Sequence, residues 1–293
     1  MRISTSMLYS NLLTGITNQQ SIQDSGNAKI SSGTRFQTPA QSGLDYKVSL
    51  DIRHSQVDVQ SSIDASKTVE SRLGASQTML NDMGNILKRA SVLAVQQASG
   101  QLGNAERQSA LQEANHLSNQ LLSDANNQWQ GQALFAGTAV DKQAFTDNGT
   151  GTISYTGSTQ DRIVSVSKNQ QVVSNIRGDD AAFSNAFSAI QAFKTALAAN
   201  DQAGIQTALG LLNQAADGMI NLTSDVGSRL HATQISRTSF EDMKVNLDKQ
   251  LNTHEGVDIP AIVAEMQQSS IALKAAYNQI AQLKSLSLTN FLR

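Results

Sequence analysis

Apolar residues recur along positions 45–94 in alternating steps of three and four. Ten of the fifteen positions on that track are apolar: Val48, Ile52, Val59, Val69, Leu73, Leu80, Met83, Leu87, Ala90 and Ala94. The others are Asp45 and the serines Ser55, Ser62, Ser66 and Ser76, and serine is small enough to sit in or beside a seam. This interval draws one narrow stripe along a helix, the pattern of coiled-coil-like packing. It predicts a helix over about 45–96, roughly 78 Å long at 1.5 Å per residue. Ser99-Gly100-Gln101-Leu102-Gly103-Asn104 then supplies two glycines and a cap, ending one helix and starting the next. That second helix is predicted to reach about Gln128, with Leu111, Ala114, Leu121 and Ala125 on one face.

From Ala133 to about Arg177 the pattern changes. Asp147-Asn148-Gly149-Thr150-Gly151 is a turn cluster between Ala144-Phe145-Thr146 and Thr152-Ile153-Ser154-Tyr155, and β-branched runs follow at Ile163–Val166 and Val172-Val173. This predicts a small antiparallel β unit of about four strands. Helix returns after Asp180, a good cap, with Phe183, Phe187, Ile190, Phe193 and Leu197 on one face. A longer helix is predicted from about Asp201 to Thr253-His254-Glu255-Gly256. Ten of its fourteen track positions between 205 and 251 are apolar, the exceptions being Thr223, Thr233, Arg237 and Lys244. Asp258 caps a last helix with Pro260 in its first turn, where a missing N–H costs nothing. Its track carries Ile262, Met266, Ser269, Leu273, Ala276, Ile280 and Leu283.

The fold class is therefore mainly α: a long antiparallel, coiled-coil-like helical bundle with a small antiparallel β insertion. Three parts are expected: terminal helices at 1–40 and 259–293, a long-helix bundle at 41–132 and 178–258, and a β domain at 133–177. Each stripe covers about two-sevenths of its helix, so every helix needs partners along its length. The terminal segments find few partners in one chain besides each other, which argues for assembly. Their packing residues are expected to be Leu8, Leu12 and Ile16 on the first helix, and Ile262, Met266, Leu273, Ile280 and Leu283 on the last. The first stripe is interrupted by Gly15 and Gly26. Residues 1–38 and 260–293 are therefore expected to be disordered in a monomer and ordered by packing.

Composition narrows the function. Only 4% of the 293 residues are aromatic and only two are proline, a bias that suits uninterrupted helices. A formal net charge of −2 gives no footprint for nucleic acid or a membrane surface. The absence of cysteine excludes disulfides, thiolate metal sites and a cysteine nucleophile. The amino end has no apolar run of a cleavable signal, so export would need another route. His54, His116, His231 and His254 form no i, i+4 pair, and no phosphate-binding or nucleophile-elbow glycine motif is present. Trp129 is read as packing where helix meets β unit. Neither a cofactor nor a metal is implied, and no enzyme activity.

Several segments, in order along the chain, resemble the flagellin superfamily and within it the hook-associated proteins of the hook–filament junction. Met1-Arg2-Ile3-Ser4-Thr5 is similar to their opening. Lys29-Ile30-Ser31-Ser32-Gly33-Thr34-Arg35 resembles their Ser-Ser/Thr-Gly-basic-Arg segment, with Ser32, Gly33 and Arg35 as matching positions. Asn127–Gly131 followed by Leu134-Phe135-Ala136-Gly137-Thr138 resembles their helix-to-β junction, and Ser285–Arg293, with Phe291 and Leu292, their carboxyl end. One departure stands out. The family's acidic pair after the Gly-x-Arg segment is missing from Thr38-Pro39-Ala40-Gln41-Ser42-Gly43.

The resemblance implies a structural subunit, exported unfolded through the flagellar type III channel without a cleaved signal, and located outside the cell. It implies a ring of self-copies between hook side and filament, with the terminal helices in the inner tube, the long helices around it and the β unit outside. Flagellin filament subunits and a neighbouring hook-associated protein on the hook side are the implied partners, with an export chaperone on the carboxyl-terminal helix. Flagellin itself shares the architecture, although the Met-Arg-Ile-Ser-Thr start and Phe-Leu-Arg end favour the junction type. From another class, a chemoreceptor-like signalling coiled coil shares the Ala, Ser and Gln bias. It would need no β insertion and normally carries a membrane anchor.

Overall fold

The computed structural model describes residues 5–98, 103–139, 141–149 and 151–291, with side chains from residue 7 to residue 283 of these ranges. The chain divides into two compact units, one of Asp58–Met243 and one of Met1–Val57 with Lys244–Arg293. Among the described residues the helices are α1 (Thr5–Ser32), α2 (Gly43–Gln97), α3 (Asn104–Ala125), α4 (Ala181–Ala198), α5 (Gln202–Glu255) and α6 (Ile259–Phe291). The described strands between α3 and α4 are short: β1 (Gln128–Trp129), β2 (Gln132–Ala133), β3 (Phe145–Asp147), β4 (Ile153–Tyr155), β5 (Ile163–Ser167) and β6 (Gln170–Val173).

In the 58–243 unit the predicted stripe becomes the core. From Val69 onward every track position of α2 is buried, through Leu73, Leu80, Met83 and Leu87 to Ala94. They meet Ile205, Leu212, Ala216, Met219 and Val226 of α5, which runs antiparallel: Glu70 pairs with Arg237 and Gly84 faces Met219. Helix α4 adds its predicted face whole, Phe183, Phe187, Ile190, Phe193 and Leu197. Asp180 caps it by accepting the Ala182 N–H at 2.9 Å. Phe135 and Phe145 close the core from the β side, with rings 5.1 and 5.3 Å from Phe183.

Two expectations need correction here. Helix α3 ends at Ala125, three residues early, where the C-cap Asn126 leaves helical geometry at φ −99° and ψ 12°. The Asn126 side chain then holds β3, accepting from Phe145 N and donating to Phe145 O, each at 2.8 Å. The extra strands β1 and β2 pair Trp129 with Gln132 around Gln130 and Gly131, both at positive φ (51° and 75°), the backbone of a tight hairpin turn. The β unit is three separate two-stranded antiparallel pairs, β1–β2, β3–β4 and β5–β6, rather than one unit of about four strands. Strands of two to five residues carry too little ladder to recruit a third. Asn126 anchors the middle pair, and Arg72 on α2 donates to Ala133 O of the first at 2.8 Å.

In the other unit, α1 is one continuous helix through Gly15 and Gly26 and packs antiparallel on α6. The described residues thus show both terminal segments as helices that partner each other. Buried apolar side chains are few in this unit: Ile16, Phe36, Ile52 and Leu273.

Candidate assembly surface

The α1–α6 pair is built from close approach and small residues. The Ser269 hydroxyl donates to Gln19 O at 2.9 Å, and Gln20 Nε2 donates to the Tyr277 hydroxyl at 3.3 Å. Gly26, which breaks the apolar pattern of α1, lies against Met266 and Ile262 of α6. A Cβ there would lie 2.7 Å from Met266 Cγ and 3.5 Å from Ile262. Ile16 and Leu273 are buried in this seam, while Leu12, Ile262, Met266, Ile280 and Leu283 are half-buried. Leu8 is exposed, and with Leu12 it faces Leu283 and Gln279 across a shallow groove. All eight packing residues named from the sequence therefore fall on one helix pair, but only two are fully covered.

Outside the seam the same helices carry apolar side chains with nothing over them. Tyr9 and Leu13 stand out from α1, and Ile259, Val263 and Ile271 from α6, with Ile271 68% exposed. Leu44, Leu50 and Val57 on the first part of α2 do the same. Periodicity missed this outer strip because it reads one seam per helix. The signal that could have found it is the off-track apolar residues themselves.

The Ser-Ser-Gly-Thr-Arg segment fastens the end of α1 to the end of α5. Gly33 takes φ +69° and donates its N–H to Lys29 O at 2.9 Å, the left-handed termination that glycine adopts without strain. The Ser32 hydroxyl accepts the Thr34 N–H at 3.3 Å. Thr34 then bridges Gly256, and the Arg35 N–H donates to Glu255 O at 2.8 Å. The Arg35 guanidinium donates to the carbonyls of Thr253 (3.2 Å) and His254, the open acceptors at the α5 carboxyl end. Glu255 is buried and ion-paired to Arg53, with Nε to Oε1 at 3.2 Å, and this carboxylate raises the arginine pKa through the hydrogen bond. No sequence motif announced Arg53 and Glu255, which lie far apart in the chain.

Where the family's acidic pair is missing, the turn is closed by an amide. Gln41 Oε1 accepts the Gln37 N–H at 2.6 Å and the Thr38 N–H at 3.3 Å. Ser42 then bonds Asp45 at 2.7 Å at the start of α2.

The other landmarks lie in the 58–243 unit and make its core. Leu134 and Phe135 are buried, and Phe135 O accepts the Gly178 N–H at 2.8 Å. Gly137, at φ +66°, sits where any Cβ would overlap Ser158 O. Trp129 is partly buried with the Arg72 guanidinium 6.0 Å from its ring. Arg72 itself is 2% exposed, and burial, with Arg162 nearby, lowers its pKa to about 10. The Phe291 side chain and Leu292 lie outside the described residues, as do Met1–Ser4 and the Ser99–Leu102 break. Among the described residues no group of three or more His, Cys, Asp or Glu could hold a metal ion, and no helix is long and apolar enough to cross a membrane.

Residues 3–140 match the family model of the bacterial flagellin N-terminal helical region. Over 316 residues, 98% of both chains, the sequence is 23% identical to flagellar hook-associated protein 3 of Escherichia coli K12. The crystal structure of FlgL from Bacillus cereus superposes with a TM-score of 0.62 at 23% identity, over 69% of this chain and 99% of that one. The flagellar junction protein FlgL from Legionella pneumophila gives 0.57 at 15% identity, over 69% and 98%. A helix-rich fold with small antiparallel sheets and similarity over nearly the full length agree: the chain is similar to hook-associated members of the flagellin superfamily, and its residues 3–140 match the flagellin N-terminal helical region.

Proposed function

We propose that this chain is a structural subunit of the bacterial flagellum that joins the hook side to the filament as a ring at the hook–filament junction. The observation that carries this reading is the thin, apolar-faced α1–α6 pair. Burying one side chain the size of Ile271 or Leu13 contributes about 1.5–3 kcal/mol. Neighbouring copies that cover the outer strips of α1 and α6 gain that free energy repeatedly. The role proposed is mechanical, resting on side chains that pack and on the fastened helix ends.

The proposal extends to partners and parts. Self-copies close the ring, flagellin subunits meet it on one side, and a neighbouring hook-associated protein on the hook side. A cytoplasmic chaperone covers the carboxyl-terminal helix before export through the flagellar channel, which proceeds without a cleaved signal to the cell exterior. Segments 1–40 and 259–293 form the assembling part, 41–132 and 178–258 the helix bundle, and 133–177 the outer β domain.

Immuno-electron microscopy tests the address. Label confined to the hook–filament boundary supports the junction, and label along the whole filament would make the chain a flagellin instead. Deleting the chain should leave hooks without filaments and flagellin monomers in the medium. Intact flagella with disturbed taxis would point to a signalling coiled coil.

A further inference from the structure

The hydrophobic cluster of the 58–243 unit reaches Val69 on α2 and Val226 on α5. Beyond these residues, toward Asp58 and Met243, apolar burial is confined to Val59 and Ile63 on α2, outside the cluster, and polar side chains link the two antiparallel helices. Arg237 donates to Glu70 at 2.8 Å and to Glu241 at 2.6 Å. Ser66 and Thr233 are buried, but each returns its hydroxyl to its own helix. A cleft of about 480 Å³ opens here, lined by Val59, Ser62, Phe240 and Met243 of the helices and by the β5–β6 hairpin.

That hairpin touches both helices. Lys168 Nζ meets Asp58 Oδ2 of α2 at 2.9 Å, and Gln170 Nε2 donates to the Ser236 hydroxyl of α5 at 2.8 Å. Between them Val166 is buried, and the ladder register shifts between Ser165 and Ser167. A bulge of this kind bends its strand and re-aims the side chains around it. Here Val166 points inward while Lys168 reaches out to Asp58 of α2.

We propose that the β5–β6 hairpin is a clasp. It holds α2 and α5 together over the stretch where they share no continuous apolar core, and lifting it opens the cleft without unfolding the rest of the unit. The Lys168 side chain is largely exposed, so its ion pair alone contributes little. Closure then rests on Val166, on the partly buried Val164 and Val172, and on one amide–hydroxyl bond, few enough contacts to keep it reversible. Elements with few buried apolar contacts open first.

Hydrogen exchange on the full chain tests this. Lys168→Ala with Gln170→Ala should speed exchange about tenfold in 58–66 and 233–243 and leave 183–197 unchanged. The chain has no native cysteine, so an Asp58→Cys, Lys168→Cys pair can be joined by a short thiol-reactive linker at one defined place. That link should slow the same two stretches below wild type. Unchanged exchange in the double variant, a rise shared equally by α4, or a link without effect would each overturn the clasp. None of these outcomes depends on where in the flagellum the chain sits.

Discussion

At the scale of single residues, two positions in the 58–243 unit carry more than their size suggests. Gly137 combines a left-handed backbone with no room for a methyl group beside Ser158. Gly137→Ala should lower unfolding free energy by on the order of 2–4 kcal/mol, read as a lower urea midpoint. Asp124 sits in the last turn of α3, with Oδ2 buried and unpartnered and Asp82 lining the same groove. Burial first, and then the Asp82 charge, raise its pKa above the ordinary carboxylate value. A raised pKa in the folded state means that ionising Asp124 costs stability as pH rises through that value. Asp124→Asn should therefore raise the thermal midpoint at pH 7. That gain should vanish below about pH 4, where an unfolded aspartate is also protonated.

Among elements, the helices differ in what holds them. Helix α4 has an apolar face that is wholly buried and a real cap, so Asp180→Ala should cost about 1 kcal/mol in a chemical denaturation curve. Helices α1 and α6 hold each other through a seam that buries little beyond Ile16, Leu273, Ser269 and Gly26. Their stability is tied to the fastening at Arg35, which satisfies carbonyls of α5 that no helical N–H can reach. Arg35→Ala should raise hydrogen exchange across 250–258 several-fold while leaving α4 protected. Equal loss of protection in both would mean that Arg35 serves the whole fold.

The molecule as a whole separates two tasks between its units. One unit has a continuous core. The other has exposed apolar strips and almost no core, and it bears the segments proposed to assemble. Leu273→Asp buries a charge in the α1–α6 seam, which is costly without a partner. It should abolish incorporation into flagella, seen as missing junction label, while the main thermal transition of the 58–243 unit shifts by less than about 2 °C. A large drop in that transition would show that the two units do not fold independently.

The sequence by itself determined most of the helices, because a three-four spacing has only one regular backbone that can place it on one face. The stripe at Val69–Ala94 and the Phe183–Leu197 face went into the core as their spacing required, and Asp180 and Asp258 capped where they were read. Short-range chemistry also made the Asp147–Gly151 hairpin legible. Tertiary structure alone decided what depends on residues distant in the chain. Gly26 reads as a flaw until Met266 arrives against it, and Glu255 reads as a surface carboxylate until Arg53 and the Arg35 turn close over it. The three separate strand pairs follow from anchors such as Asn126 and Lys168, which tie a strand or hairpin to a helix and not to another ladder. Periodicity names the face a helix must cover, and only packing says whether its own chain covers it.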